Sequence, residues 1–279
     1  MSVQWFPGHM TKAKKDFEKN LKFNDMVIEV IDARIPEASK NPMLNQIIKQ
    51  RQKPHLKVLN KSDIADPKVT ELWLRFFNAE KNTSALAISS KSKKDKNKIK
   101  EAALKLVPHR GSSMKPLRAM IIGVPNVGKS TLINMLSERK IAKTGDVPAV
   151  TQMQQRILVA DDFIITDTPG MMWPKIENEV QGYYLAASNT IGINAYDEIE
   201  TALFLLDNLK ENYKKALQDR YQLEETDCLK KSEILLEVIA SNKKLLSKGN
   251  QVDLLKAAIT LIQDYRHQKL GNISLEKPN

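Results

Sequence analysis

Gly123-Val124-Pro125-Asn126-Val127-Gly128-Lys129-Ser130 lies between an apolar run, Ala119-Met120-Ile121-Ile122, and an amphipathic one, Thr131-Leu132-Ile133-Asn134-Met135-Leu136. It fits Gly-x-x-x-x-Gly-Lys-Ser in the context that motif requires: a buried strand, a glycine-bounded loop, then a helix. The glycines let the backbone curl so that the N–H groups from Asn126 through Val127 and Gly128 to Thr131 point at a polyphosphate. Lys129 adds charge, and the Ser130 hydroxyl is placed to ligate Mg²⁺. A glycine turn that binds nothing is the bland alternative, and the flanking strand and helix both speak against it.

Around this stretch the chain is 279 residues long, enough for two modest domains with buried cores. Its 44 Lys and Arg against 33 Asp and Glu leave a net charge of +11, which suits a polyanionic partner such as nucleic acid. The excess is uneven: residues 1 to 175 hold 31 basic and 17 acidic side chains, and residues 176 to 279 hold 13 and 16. Cys228 is the only cysteine, so a disulfide framework is excluded and a reducing compartment is expected. No stretch reaches the roughly 20 apolar residues of a membrane span. The N-terminus, which runs through Trp5-Phe6-Pro7-Gly8-His9-Met10 into lysines, forms no signal-peptide core. A cytoplasmic protein is expected.

Residues 10 to 22 read as a basic-faced helix, preceded by a Pro7-Gly8 turn that presents His9 from a loop. Three strand-length runs follow: Met26 to Ile31, His55 to Leu59 and Ala85 to Ile88, with helical patterns around 41 to 51 and 67 to 78 between them. This alternation predicts an α/β domain, a mostly parallel sheet with helices on both faces and ligand contacts at the strand carboxyl ends. Residues 91 to 105 carry seven lysines against two acids, a pattern that serves equally as a solvated helix face or as a phosphate-contacting surface. Pro108 to Pro116 reads as a linker, and Arg156 to Ala160 with Phe163 to Thr166 as a hairpin around Asp161-Asp162. From residue 176 the pattern is all helical. There, Val252, Leu255, Ile259 and Ile262 recur at helical spacing and are expected to form a packed face.

The base is chosen by Asn60-Lys61-Ser62-Asp63, which fits Asn-Lys-x-Asp at the end of a strand. The Asp63 carboxylate can accept from guanine N1–H and the N2 amino group, whereas adenine offers a bare N1 and no 2-amino donor. A site with such an acceptor rejects adenine because its own group would go unpaired. Asn60 would address N7, Lys61 would lie along the base plane, and backbone N–H groups of Ser89-Ser90-Lys91 could reach O6. Asp167-Thr168-Pro169-Gly170 adds a strand-end carboxylate able to hold Mg²⁺ through water and a Gly170 N–H able to meet a γ-phosphate. Thr151 is the natural second Mg²⁺ ligand from the segment Lys143 to Thr151. GTP or GDP with Mg²⁺ is the expected ligand.

The order of these boxes is reversed relative to an ordinary GTPase, in which the phosphate loop comes first and base recognition last. Groups that converge from the strand ends of one sheet survive joining the old termini and opening new ones, so the chain reads as a circular permutation. With Trp5 to Met10, Asp32-Ala33-Arg34-Ile35-Pro36 and Asn41-Pro42 added to the boxes above, the chain resembles the circularly permuted GTPases of the YlqF/RbgA type. The resemblance implies a permuted GTPase domain over residues 1 to 175 and a C-terminal all-α domain over 176 to 279 that contacts RNA. It also implies GTP hydrolysis in late assembly of the large (50S) ribosomal subunit, stimulated by that subunit, with the subunit precursor and its rRNA as partners of a monomer. Two departures stand out: Pro148-Ala149-Val150-Thr151 replaces Pro-Gly-x-Thr, and Ser90 replaces the alanine of the base-contact box.

Ras-like enzymes place a water-orienting glutamine just after Asp-x-x-Gly. Here Met171 and Met172 follow Gly170, and neither can orient water. His9 is the candidate catalytic residue, able to orient or accept from water near neutral pH, with a solvent-facing histidine as the plain alternative. Asn126 matches the position that helps hold K⁺ in potassium-activated GTPases, where the cation offsets developing charge; a turn asparagine is the alternative. A GTPase serving tRNA modification or another protein partner is the competing reading. A metabolic kinase is disfavoured by the guanine box.

Overall fold

The computed structural model describes residues 7–139, 141, 155–173, 176, 178–247 and 249–278, without the side chains of residues 7–13 and Lys93. Six strands form one sheet: β1 (Met26–Asp32), β2 (His55–Asn60), β3 (Thr83–Ala87), β4 (Leu117–Ile122), β5 (Gln155–Ala160) and β6 (Phe163–Asp167). Their spatial order is β3-β2-β1-β4-β6-β5, and every neighbouring pair is parallel except the β5–β6 hairpin. The apolar runs are near-continuous because both sheet faces are covered, as parallel sheets require.

Alternation along β1 assigns those faces. Met26, Ile28 and Val30 join a core with Ile99 and Ala103 of α4 (Lys96–Leu106) and with Leu132, Ile133 and Leu136 of α5 (Lys129–Ser137). On the opposite face Val27 packs with Phe17 and Leu21 of α1 (Pro7–Leu21) and with Leu44, Ile47 and Ile48 of α2 (Pro42–Gln50). Ile31 on that same face packs with Val69, Trp73 and Phe77 of α3 (Pro67–Asn78). Pro42 and Pro67 each open a helix at a position where a missing N–H costs nothing, behind the caps Asn41 and Asp66.

Between those two apolar clusters sits a buried ionic patch. Glu29 of β1 and Lys57 of β2 are register partners with Nζ 3.3 Å from Oε2, and both side chains are 1% exposed. Asn45 of α2 donates to Glu29 Oε1 at 2.7 Å and accepts from Lys57 at 3.2 Å, while Lys57 also lies 4.8 Å above the Phe77 ring. His55 Nε2 is 3.1 Å from Glu29 Oε2. Burial alone would raise the Glu29 carboxyl, but Lys57, His55 and Asn45 together hold it well below the ordinary range; His55 is pushed down by burial and is neutral. The signal in the sequence was one acid inside one apolar run and one base inside the next.

The C-terminal part consists of α6 (Glu179–Ala187), α7 (Glu198–Asn212), α8 (Lys214–Tyr221), α9 (Ser232–Asn242) and α10 (Leu254–Arg266). Its apolar interior, with Leu205, Leu209, Leu236, Ile239 and Leu261, is continuous with the core beneath the sheet. Cys228 is buried there as a small packed residue. After α10 the chain returns to the sheet: Ile273 N–H donates to the Ile64 carbonyl, Leu275 N–H to the Arg34 carbonyl, and Trp73 Nε1 to the Glu276 carbonyl.

Two expectations are corrected, and one open alternative is narrowed. α1 begins at Pro7, so His9 lies in a first helical turn rather than on a loop; proline at a helix start pre-sets φ instead of breaking the chain. The packed face of α10 is Ala257, Ala258, Leu261, Ile262 and Tyr265, whereas Leu255 and Ile259 are 49% and 39% exposed. Alanines on a buried face carry little hydrophobic signal, so a search for a stripe of large residues passes over them. In the lysine-rich stretch, Lys91, Lys96, Lys98 and Lys100 each pair with a carboxylate, of Asp63, Glu138, Asp95 and Asp162. That favours the solvated, paired face over a dedicated phosphate surface.

Because Glu29 has no route to water, Lys57→Ala should destabilise the fold by about 3–5 kcal/mol in urea unfolding. The double change Glu29→Leu with Lys57→Met should recover only part of that loss, since the buried Asn45 Nδ2 and His55 Nε2 lose their carboxylate partner.

Candidate nucleotide site

The carboxyl ends of β1, β2, β4 and β6 and the loop after β3 converge on one edge of the sheet, and Asn60 is where they are tied. Its Nδ2 donates to the Val127 carbonyl at 2.7 Å, and its Oδ1 accepts from the Ser90 N–H at 3.0 Å. One 1% exposed carboxamide therefore joins the end of β2 to the phosphate loop after β4 and to the loop after β3. The fit leaves no room at Gly128, where an added Cβ would lie 2.3 Å from Asn60 Nδ2 and φ is +91°.

Lys61 follows in the left-handed region with φ 62°, and its Nζ lies 2.8 Å from Asp32 Oδ2. Asp32 ends β1 in register with Asn60 and also receives the Arg34 N–H, Nε and Nη2. Burial works against that carboxylate, but Arg34 and Lys61 hold it well below the usual range, so it is ionised. The Arg34 guanidinium lies 4.9 Å from the Tyr265 ring centroid, which links the base box to α10. Asp63 is exposed at the mouth of the site, 3.7 Å from Lys91 Nζ, and its backbone carbonyl accepts from Gln268 Nε2 at 3.1 Å. The Ser62 N–H donates to the Ile88 carbonyl, and the Ser89 N–H to Asp95 Oδ2, bonds that set the height of both loops.

In the phosphate loop Asn126 takes φ 59°, and its Nδ2 donates to the Asn189 carbonyl at 2.7 Å, just beyond α6. Gly123 is pressed against β1: a Cβ there would lie 2.7 Å from the Val30 carbonyl oxygen. Lys129 opens α5, and its Nζ is 3.1 Å from Asp167 Oδ1 at the end of β6. Burial lowers the Lys129 pKa and raises that of Asp167, and each partner's charge opposes the shift of the other. Ser130 and Thr131 follow in the first turn of the same helix, at its positive end.

This donor set fits Mg²⁺, which takes one or two protein oxygens and completes its shell from phosphates and water. Asp167 would supply the carboxylate and Ser130 the hydroxyl; among the described residues no group of three or more His, Cys, Asp or Glu side chains could cage a metal alone. Thr151 lies outside the described residues, as does the side chain of His9. After Gly170, Met171 and Met172 are 9% and 4% exposed, their side chains committed to the core.

The features sequence reasoning missed are Asp32, Arg34, Asn189 and Gln268, which contact the boxes without belonging to them. Only Asp32-Ala33-Arg34 carried a signal, a charged pair at a strand end. Gly128→Ala is expected to weaken GDP binding at least about tenfold in a fluorescence titration, through both the Asn60 clash and the positive φ.

Residues 118–243 match the model of the 50S ribosome-binding GTPase family. The ribosome biogenesis GTPase A of Priestia megaterium is 41% identical over 289 residues, covering 100% of this chain and 98% of that protein. The mitochondrial ribosome-associated GTPase 1 of Mus musculus is 34% identical over 300 residues, covering 99% and 90%. A GNP-bound YlqF from T. maritima, 25% identical, superposes with a TM-score of 0.64 over 96% of this chain and 99% of its own. Likeness of that extent, along the full length of both chains, makes this protein a GTP hydrolase with a permuted sheet. It belongs to the ribosome biogenesis GTPase A family.

Proposed function

We propose that this GTPase acts in late assembly of the large ribosomal subunit, binding pre-ribosomal RNA in its GTP form and leaving the particle on hydrolysis. The observation that carries this reading is the full-length likeness to proteins named ribosome biogenesis GTPase A. A net charge of +11 suits a partner made of RNA. Residues 1–175 serve as the nucleotide domain and 176–279 as the helical domain that touches RNA. No described helix is long and apolar enough to cross a membrane, and the protein is read as a cytoplasmic monomer.

In the proposed site Asp63 accepts from the guanine N1–H and 2-amino group, and Lys61, steadied by Asp32, lies along the base. Because the Ser89 and Ser90 N–H groups are already donated within the protein, contact with O6 falls to Lys91. The loop N–H groups from Asn126 to Thr131 cradle the phosphates with Lys129, and the Gly170 N–H meets the γ-phosphate. Mg²⁺, held by Ser130 and Asp167 with Thr151 as a further ligand, supplies charge compensation on the phosphate oxygens. Asn126 is assigned to K⁺. His9 is assigned to orient the attacking water, since Met171 and Met172 are turned into the core.

The reading is tested by adding isolated large subunits to the enzyme and following phosphate release. A rise of tenfold or more that fades with added salt is expected. Turnover indifferent to the subunit, with no co-sedimentation at low salt, would refute the ribosomal role. Asp63→Asn should shift the base preference from guanine toward xanthine, measured by competition for the site, because an amide donates where the carboxylate accepted.

A further inference from the structure

Asn41-Pro42 opens α2 and belongs to none of the nucleotide boxes. Asn41 is nevertheless 1% exposed, and each polar group of its side chain has a separate partner. Its Oδ1 accepts from the Leu44 N–H at 3.2 Å and caps α2. Its Nδ2 reaches across 130 residues of sequence to donate to the Met171 carbonyl at 2.9 Å. Asparagine, aspartate and serine cap helices about equally well, so capping alone does not demand an amide. The second bond does, because only the amide carries its donor on a separate atom, Nδ2, that can reach Met171 while Oδ1 stays on the cap.

Met171 is the residue after Gly170, and it is held from three sides. Its N–H donates to the Gly123 carbonyl at 3.4 Å, its carbonyl accepts from Asn41, and its side chain packs with Phe17, Leu44 and Ile47. Asn41 is itself fixed by the buried ionic patch: its N–H donates to Glu29 Oε1 at 3.3 Å, and Asn45 Nδ2 donates to both Glu29 Oε1 and the Asn41 carbonyl. A rigid α2 N-terminus thus sets the height of the backbone that follows Gly170.

We propose that Asn41 is a positioning residue for GTP hydrolysis, holding the Met171 carbonyl so that the Gly170 N–H faces the γ-phosphate. The proposal rests on the assignment of Gly170 to the γ-phosphate made above. GDP lacks that phosphate, so loss of the bond should be felt by GTP and not by GDP.

The test compares wild type, Asn41→Ser, Asn41→Thr and Gly170→Ala in titrations with fluorescent GDP and a non-hydrolysable GTP analogue, and in single-turnover hydrolysis. Serine and threonine keep a cap acceptor, but their single, shorter hydroxyl lacks the separate Nδ2 that reaches the Met171 carbonyl. Both variants should bind GDP within about twofold of wild type, bind the analogue about five- to tenfold more weakly, and hydrolyse GTP about tenfold more slowly. A merely structural Asn41 would weaken GDP and analogue alike or neither, and either result overturns the proposal. If Gly170→Ala lowers the analogue-to-GDP ratio and the Asn41 variants do not, Asn41 falls alone. If none of the variants moves the ratio, the γ-phosphate assignment falls with it.

Discussion

The nucleotide edge of this protein depends on one buried carboxamide. Asn60 holds the Val127 carbonyl with one end and the Ser90 N–H with the other, so three loops from three strands share a single rigid reference. A buried group of this kind is costly to leave unsatisfied, which makes the arrangement all-or-none. Gly128 is a glycine for that reason as much as for its backbone angle, since any side chain there would occupy the position of the Asn60 amide.

Permutation leaves this geometry intact because convergence happens at strand ends rather than along the chain. What it changes is the attachment of everything else. The segment after Gly170 leads into α6, and the chain that leaves α10 comes back to lie beside Ile64, Arg34 and Trp73. The helical part therefore reaches the nucleotide edge at both ends, through Tyr265 on Arg34 and Gln268 on Asp63 at the base side, and through Asn189 on Asn126 at the phosphate side.

A second constraint lies inside the sheet. Glu29 and Lys57 place opposite charges in a face otherwise filled by Val27, Ile31 and Leu59, and they are tolerable only because Asn45, His55 and the Phe77 ring complete the set. Such a patch contributes little net stability compared with apolar packing, but it admits one register of β1 on β2 and one seating of α2. That precision is what Asn41 carries outward to Met171.

The phosphate loop, the guanine box, the strand-end Asp167 and the reversed order of these boxes were legible in the sequence, because each is a short motif whose chemistry depends on contiguous residues. The parallel sheet was legible too, since strands buried on both faces read as apolar runs. The start of α1 at Pro7 was misjudged because a proline-glycine pair marks a turn and a helix start alike. The packed face of α10 was misjudged because it includes the buried Ala257 and Ala258, which carry little hydrophobic signal. Sequence by itself determined the ligand class and the permutation. Only tertiary structure decided what holds the boxes in place: Asp32 under Lys61, Asn189 on Asn126 and Asn41 on Met171 are polar pairs from distant or separate elements, and pairing of that kind depends on how the sheet and helices pack.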